Sequence, residues 1–291
     1  MREFDDDAVT AAVSPALLVE EVERCLADLG RGEAQQMPKA AMAFAPGSFF
    51  LSVAGMVPRL SLATSKWASY APGVAGAAGV STSRITVSDA TTGEVIALIT
   101  GMTATQLRTA ATAVAAARRF AVTPPSRIAF VGFGPTNRAV FDLLQATSTA
   151  PGDIRIAVRS DASRAILETA FADFDGVTVT TDVSAALRGA DLAFSATGST
   201  TALAAVEDLA PSAVVVSLDG SATWTSGDDT VVLTDRVVDG QAPAVAVAFA
   251  TGAEVRAAVT QGVLLDIAGS AVTDVALAAI VLAADPSGVR S

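Results

Sequence analysis

Two patterns of hydrophobic and polar positions follow each other along the chain. Between Gln35 and Thr100 the apolar runs are short and strand-like, as in GSFFLSVAG, RLSLATSKW and RITVSDATTGEVIALIT, with turn residues between them. After Pro124 and Pro125, apolar strands such as RIAFVG and DIRIAV alternate with amphipathic helices such as TNRAVFDLLQ. Such alternation is typical of a parallel sheet covered by helices. The chain is therefore predicted to be an α/β protein with a parallel-sheet domain and a second, mainly β domain.

Three helical segments frame these two patterns. Ser14 and Pro15 start an amphipathic helix, ALLVEEVERCLADLG, that ends at Gly30. A long alanine-rich helix, TATQLRTAATAVAAARRFA, runs up to the proline pair, and the last helix, SAVTDVALAAIVLAAD, is apolar over most of its surface. The last helix is predicted to return and pack on another domain or subunit. We therefore predict a domain boundary at the proline pair, which separates the mainly β domain from the parallel-sheet domain of residues 123–265.

Charge and composition exclude several classes of partner. The chain has 30 acidic and 19 basic residues, a net charge of −11 that disfavours nucleic acids and anionic membranes. The N-terminus, MREFDDDAVT, is acidic where a signal peptide has a basic start, and no apolar run approaches the roughly 20 residues of a membrane helix. The single cysteine, Cys25, forms no internal disulfide. We expect a cytoplasmic protein that binds neither nucleic acid nor membrane.

The chain contains no histidine, and arginine fills nearly every cationic position except Lys39 and Lys66. The absence of histidine removes the usual zinc sites and the commonest general base, so we predict no metal site. A lysine that persists against an arginine bias can be required as a compact or deprotonatable amine, although two lysines can also remain by chance.

The segment VGFGPTNRAV, at 131–140, has the context of a nucleotide-binding glycine loop, because it follows an apolar strand and opens a helix. Gly132 permits the tight turn, and Gly134 lets the backbone approach a pyrophosphate at the helix N-terminus, where Pro135 and Thr136 stand. Asn137 replaces the expected small residue, and we expect a slightly displaced helix that still binds. The loop predicts a Rossmann-type domain. A glycine turn without a ligand is the alternative.

Cofactor selectivity is predicted at the tip of the second strand. There DIRIAV runs into Arg159, Ser160 and Asp161, with Arg164 one helical turn later. An arginine at this tip can pair with the 2′-phosphate of NADP, whereas an acidic residue would bind the ribose of NAD. We favour NADP(H). The alternative is NAD(H), with Asp161 on the ribose and Arg159 in solvent.

Arg108 is predicted near the start of its helix, where a cation is unfavourable unless an anion occupies the space nearby. A substrate carboxylate would supply that anion. Arg108 and Lys66 together suggest a two-cation clamp for a carboxylate, although each taken singly is more often a surface charge.

The order of segments resembles the ornithine cyclodeaminase and mu-crystallin family over nearly the whole chain. The matching pieces are Lys66, DATTGEVIA at 89–97, Thr105 with the RTAA of 108–111, Gly132 with Gly134, and Gly269-Ser270-Ala271 with Asp274. The resemblance implies a homodimer whose substrate-binding and dimerisation domain is formed by residues 1–122 and 266–291, with a Rossmann domain between these segments.

The resemblance also implies roles for individual residues. Lys66 and Arg108 would bind an α-carboxylate with help from Lys39, and Asp219 in VVVSLDGS would face the substrate amine as a catalytic residue. Thr197 and Gly198 in FSATGS would run past the nicotinamide ribose. Thr109, next to the clamp arginine, is assigned to the cofactor site.

One departure from the family narrows the substrate. Ornithine cyclodeaminases carry a glutamate about a dozen residues before the clamp lysine, and FFLSVAGMVPRL has no acidic residue there. The predicted pocket suits an apolar side chain or a cyclic imine. We expect an NADPH-dependent imine or ketimine reductase, or an amino-acid dehydrogenase, acting on a small α-imino acid. The proton would pass through Lys66, Asp219 or a water. A cyclodeaminase with tightly bound NAD and a nucleotide-dependent binding protein stay open as alternatives.

Overall fold

A computed structural model describes residues 1–73, 79–121, 124–147, 152–237, 241–252 and 262–285. The chain divides into two compact units. The first consists of the described residues of 1–109, 236–251 and 270–291, and the second of those of 110–235 and 252–269. The predicted boundary at residues 122 and 123 lies outside the described residues, as does the tail 286–291.

The first unit is built on a mainly antiparallel sheet. Its strands are β1 Arg2–Phe4, β2 Gln35–Gln36, β3 Ala40–Ala45, β4 Ser48–Val57, β5 Leu62–Ala71, β6 Val80–Asp89 and β7 Val95–Thr100. The order is β1-β7-β6-β5-β4-β2, with β3 also paired to β4, and only β1 runs parallel to its neighbour. Val53, Lys66 and Ile85 are neighbours across β4, β5 and β6. This register places Lys66 in the middle of the sheet, on its buried face.

The first unit contains the helices α1 Asp6–Ala12, α2 Pro15–Gly30, α7 Ala244–Thr251, α8 Ala271–Ala284 and the start of α3 Thr103–Phe120, which continues into the second unit. Helix α8 packs directly on the sheet, and α1 and α2 pack on α8. The apolar stripe of α2 is buried against α7 and α8. The last helix, α8, packs on β4 and β5 as well, which explains why nearly all of its surface is apolar. No helix among the described residues is long and apolar enough to cross a membrane.

The DATTGEVIA segment forms the turn between β6 and β7. Asp89 Oδ1 accepts hydrogen bonds from the amides of Thr91 and Thr92 at 2.7 and 3.0 Å, and Gly93 takes the left-handed backbone conformation that this turn requires. The motif therefore has a structural explanation as a turn, independent of any role in a site.

The second unit is a parallel sheet with the order β10-β9-β8-β11-β13-β16-β15. These strands span β8 Ile128–Val131, β9 Ile154–Ala157, β10 Val177–Thr180, β11 Leu192–Ser195, β13 Val214–Ser217, β15 Val231–Thr234 and β16 Val263–Asp266, and a short pair joins β12 Ala204–Ala205 to β14 Trp224–Thr225. The helices are α4 Pro135–Thr147, α5 Asp161–Ala170 and α6 Val183–Leu187. The prediction of a Rossmann-type sheet beside a second sheet domain is confirmed. The strand order reverses between β8 and β11, and α/β sheets bind ligands at such a switch point.

Candidate functional site

The glycine loop joins the end of β8 to the start of α4. Gly132 has φ +76°, and a Cβ there would lie 2.8 Å from the carbonyl oxygen of Ala196. Only glycine fits this position, because both the backbone conformation and the close approach of a second backbone exclude a side chain. Beyond its chain neighbours, Gly134 has no atom of the described residues within 4 Å of the place where its Cβ would lie. The loop therefore leaves open space in front of the N-terminus of α4, where Pro135 and Thr136 begin the helix.

Asn137 is completely buried and binds the loop itself. Its Nδ2 donates to the carbonyl oxygens of Gly132 at 2.7 Å and Val131 at 3.3 Å. A glycine or alanine at this position could not make these bonds. Asn137 therefore ties the first turn of α4 to the loop, so the departure from the usual motif fixes the loop conformation by a different contact.

Replacing Asn137 with alanine is expected to lower the free energy of unfolding by about 1 to 3 kcal/mol, because the two loop carbonyls lose a buried donor. Nucleotide affinity should fall with it. Urea titration and fluorescence titration with NADPH measure the two effects. Arg138→Ala, which changes the exposed neighbouring residue, is the matched control, and an equal loss in both variants would contradict the role of Asn137.

A cavity of about 820 Å³ opens at the carboxyl ends of β8, β9 and β11. Five residues predicted to bind the cofactor are among those that line it, namely Gly132, Gly134, Arg159, Thr197 and Gly198. Apolar side chains, including Ile166 and Leu203, line other parts of the wall. Arg159 is the one charged residue in this lining, counted over the described residues. The cavity has the position and the size expected of a dinucleotide site.

The other predicted cofactor residues have structural contacts. Ser160 caps α5, since its hydroxyl accepts a hydrogen bond from the Ser163 amide. Arg164 forms ion pairs with Asp161 at 3.1 Å and with Glu168 at 3.8 Å. The Asp161 side chain is 79% exposed, and the choice between Arg159 and Asp161 as the cofactor contact stays a prediction.

Thr109 likewise has a contact within its own helix. Its hydroxyl donates to the carbonyl of Thr105 at 2.7 Å in α3. The assignment of Thr109 to the cofactor site stays a prediction.

The Asp219 carboxylate is surrounded by donors on both oxygens. Oδ2 accepts from the amides of Thr197 and Gly198 at 2.5 and 3.2 Å and from the Thr197 hydroxyl at 2.6 Å. Three further hydroxyl groups lie within 3.0 to 3.2 Å of Oδ1, those of Ser195, Ser217 and Thr223. These contacts are those of a residue that fixes the loop carrying Thr197 and Gly198. The catalytic role of Asp219 stays a prediction.

Lys66 and Arg108 meet at a third residue, Asp274, in the interior of the first unit. Lys66 Nζ lies 2.9 Å from Asp274 Oδ2 and 3.1 Å from Oδ1, and Arg108 Nε lies 3.0 Å from Oδ1. The side chains are only 2, 6 and 1% exposed for Lys66, Arg108 and Asp274. The two predicted clamp cations are therefore brought together, and the three ionised side chains carry a net charge of +1.

Arg108 reaches this place from the second turn of α3, because the helix begins at Thr103. The first turn has its own anion, since Asp6 Oδ1 accepts from the Thr103 amide at 2.8 Å. The unfavourable position of a cation near a helix N-terminus therefore does not identify the partner of Arg108. Asp274 supplies the negative charge instead.

The environment of Lys66 lowers its pKa from 10.5 to about 8. Burial is the largest cause, because it disfavours the charged ammonium, and the nearby positive charge of Arg108 acts in the same direction. Asp274 opposes both, and the half-buried Lys39, just before β3, adds a weaker lowering effect. Lys66 can therefore change protonation state near neutral pH.

The sequence analysis quoted Asp274 but gave it no role. The residue is the single charged position in the 14-residue apolar helix α8. An isolated carboxylate on an all-round apolar helix is expected to be buried and paired with a cation. That signal could have identified Asp274 as a member of the site from the sequence alone.

The fold and the two sites define a protein with a Rossmann-type unit, whose cavity lies at the ends of its strands, and a second unit that contains a buried cationic cluster. A model of the ornithine cyclodeaminase/mu-crystallin family matches residues 6–223, and the chain belongs to this family. Comparison with curated proteins found no match.

Several solved structures are similar over almost the full length. An archaeal alanine dehydrogenase dimer with bound NAD has a TM-score of 0.85 at 17% identity, with 99% of this chain and 96% of that chain covered. The Δ1-pyrroline-2-carboxylate reductase of Thermococcus litoralis, in complex with NADH and L-proline, has a TM-score of 0.81 at 15% identity, with 97% and 96% covered. A lysine cyclodeaminase has a TM-score of 0.77 at 18% identity, with 98% and 92% covered. At these identities the likeness establishes the shared fold.

Proposed function

We propose that the protein is an NADPH-dependent imine or ketimine reductase, or a closely related amino-acid dehydrogenase, acting on a small α-imino acid. The observation that carries this proposal is the buried cluster of Lys66, Arg108 and Asp274. Lys66 and Arg108 are buried at one place, and two cations held together in this way can bind an α-carboxylate. The cluster therefore suits a substrate of the amino-acid or imino-acid class.

The residues of the cavity fit a dinucleotide. Gly134 leaves open space where a side chain would stand, the N-terminus of α4 suits a pyrophosphate, and Asp219 holds the loop of Thr197 and Gly198. When bound, the nicotinamide supplies or accepts the hydride. We propose NADPH rather than NADH because Arg159 can pair with a 2′-phosphate. Arg159 is the one charged residue among the described residues that line the cavity.

The protein residues provide orientation and a proton. Arg108 and Lys66 hold the carboxylate and so fix the α-carbon. In the reductive direction the carbon–nitrogen double bond gains a hydride at carbon and a proton at nitrogen. The Lys66 ammonium is the proposed proton donor, and it is left as a neutral amine that water reprotonates. Its lowered pKa makes this transfer feasible near neutral pH.

The face of the sheet around Lys66 favours an apolar side chain on the substrate. Val53, which is 4% exposed, pairs directly with Lys66, and the next pair on the same face is Leu51 with Ala68. None of these four strand positions carries an acidic side chain that could bind a distal amine, and Asp274 is already paired with Lys66 and Arg108. A cyclic or apolar α-imino acid therefore suits this pocket better than ornithine.

The decisive experiment follows the loss of reduced-nicotinamide absorbance with NADPH and with NADH. The substrates are a panel of cyclic α-imino acids and of α-keto acids with amines. Turnover with NADPH is expected for at least one member. Ammonia release from ornithine or lysine without added cofactor would instead favour a cyclodeaminase, and tight NADPH binding with neither reaction would favour a binding protein.

The pH dependence of the reductive reaction provides a second test. Below a pH of about 8 Lys66 is protonated, so it can both attract the carboxylate and donate a proton. As pH rises through about 8 the ammonium is lost, and kcat/KM is expected to fall about tenfold for each further pH unit. In the oxidative direction the neutral amine accepts the proton, so kcat should rise over the same range. Initial rates between pH 6 and 10 measure both limbs, and a flat reductive profile would exclude Lys66 as the titrating group.

A homodimer is also proposed, because one face of the first sheet carries exposed apolar side chains. Phe50 stacks on Trp67 with ring centroids 5.3 Å apart and contacts Phe44 at 4.7 Å, and Met42 pairs with Phe50 across β3 and β4. Met42, Phe44 and Trp67 are 57, 51 and 44% exposed. A second copy would bury this patch. Sedimentation equilibrium should give a mass near twice 29.2 kDa, and a mass of one chain would contradict the dimer.

A further inference from the structure

The position of Asp274 is set by two contacts at the start of α8. Gln36 Oε1, on β2, accepts hydrogen bonds from the Ser270 hydroxyl at 2.5 Å and from the Ala271 amide at 3.0 Å. Gln36 thus satisfies a backbone donor that a helix N-terminus leaves unpaired. This contact fixes the first turn of α8 against the edge of the sheet.

The second contact is a close approach between α8 and β4. A Cβ on Gly55 would lie only 2.8 Å from the Cβ of Ala271 and 3.0 Å from its carbonyl carbon. The missing side chain of Gly55 therefore lets the helix start lie directly on the strand. Gly55 is two residues from Val53, the partner of Lys66, so both lie on the same face of β4. The close approach brings Asp274, in the first turn of α8, next to the Lys66 ammonium.

Three charged side chains act on Lys66 from different elements. Arg108 on α3 and Lys39 before β3 disfavour its ammonium form, whereas Asp274 on α8 favours it. Among the described residues, Asp274 is the acidic residue that raises the pKa of Lys66, against the lowering effects of burial and of the two cations. The N-terminal end of a helix dipole also stabilises the ionised carboxylate there.

We propose that Asp274 is the positioning residue of the site: docked through Gln36 and Gly55, it fixes Lys66 and Arg108 in one place and keeps the lysine proton available for transfer. Asp274 acts through the two cations and makes no contact with the reacting atoms in this scheme. Proton transfer from Lys66 rests on the proposed function. The effect of Asp274 on the protonation of Lys66 does not depend on that function, and it can be tested without a substrate.

The lysine content of the chain permits a direct test. Lys39 and Lys66 are the two lysines, so protein labelled with carbon-13 at lysine Cε gives two lysine signals in a heteronuclear NMR spectrum. The variant Lys39→Arg assigns them. The Lys66 signal is expected to titrate with a midpoint near 8 in the wild-type protein. In Asp274→Asn the midpoint should fall by about one pH unit or more, because the opposing anion is gone.

Two further variants separate charge from general damage. Asp274→Glu keeps the negative charge and should hold the midpoint close to the wild-type value, while the shifted carboxylate lowers kcat. Asp28→Asn is the matched control, because Asp28 is also buried in the first unit and paired with arginines, Arg31 and Arg59, but does not contact Lys66. It should leave the Lys66 midpoint unchanged. An Asp274→Asn midpoint equal to the wild-type value would overturn the proposal.

If Asp274→Asn does not fold, Gln36→Ala provides the same test through the docking contact. Loss of the Gln36 acceptor is expected to lower the Lys66 midpoint by a smaller amount, and an unchanged midpoint would overturn the positioning role. The activity profile gives an independent reading, since the loss of kcat/KM in Asp274→Asn should begin at lower pH than in the wild-type protein. If no substrate is turned over, the proposed function fails, whereas the NMR titration still decides the role of Asp274.

Discussion

Lys66→Met is expected to lower kcat/KM for imine reduction by about 10³-fold or more, because it removes both a carboxylate contact and the proton donor. Methionine has a similar length and leaves the ion pair of Arg108 with Asp274 in place. The affinity for NADPH should be unchanged, since Lys66 belongs to the first unit and the nucleotide cavity lies within the second. Stopped assays with concentrated enzyme and fluorescence titration with NADPH measure the two quantities.

Two further variants test whether the loss of kcat/KM depends on the Lys66 amine. Arg84→Met removes an exposed cation from the neighbouring strand β6 and should leave kcat/KM within about twofold of wild type, as is usual for surface changes. Lys66→Arg retains the positive charge but cannot release a proton near neutral pH, so it should also abolish turnover. Wild-type rates in Lys66→Arg would remove lysine from the mechanism and leave it with an electrostatic role.

Arg159→Ala is expected to weaken NADPH binding by about 10- to 100-fold, because a charge-assisted contact to the 2′-phosphate contributes about 1.5 to 3 kcal/mol. NADH lacks that phosphate, so its affinity should change by less than about threefold. Fluorescence titrations with both cofactors give the selectivity ratio. Arg159 is the appropriate target because its side chain lines the cavity at the end of β9.

Two other arginines test whether this effect is specific. Arg164→Ala should have a smaller effect, since the Arg164 guanidinium is already paired with Asp161 and Glu168. Arg138→Ala changes an exposed residue on α4 and should change the affinities for NADPH and NADH by the same factor. An equal loss of NADPH and NADH affinity in Arg159→Ala would contradict selection by the 2′-phosphate and favour NAD(H).

Contacts that are distant in sequence explain why the site was only partly predictable. The sequence singled out Lys66 and Arg108 but not their common partner, because Asp274 is 208 residues from Lys66. It assigned Asp219 to the substrate, which stays a prediction, but it did not identify the donors from β11, β13 and the loop after β11 that surround the carboxylate. It predicted that Asn137 displaces the helix slightly, but it did not predict that the side chain bonds to the loop carbonyls.

The sequence by itself determined the type of each unit and the position of the nucleotide loop. Alternation of strands and helices after Pro125 predicts the parallel sheet, and the glycines of 132 and 134 mark the end of its first strand, because these signals depend only on neighbouring residues. The tertiary structure decided which charges meet. The packing of α8 on β4 through Gly55 joins Asp274 to Lys66 and Arg108, and a contact between three separate elements depends on how they pack rather than on any local pattern.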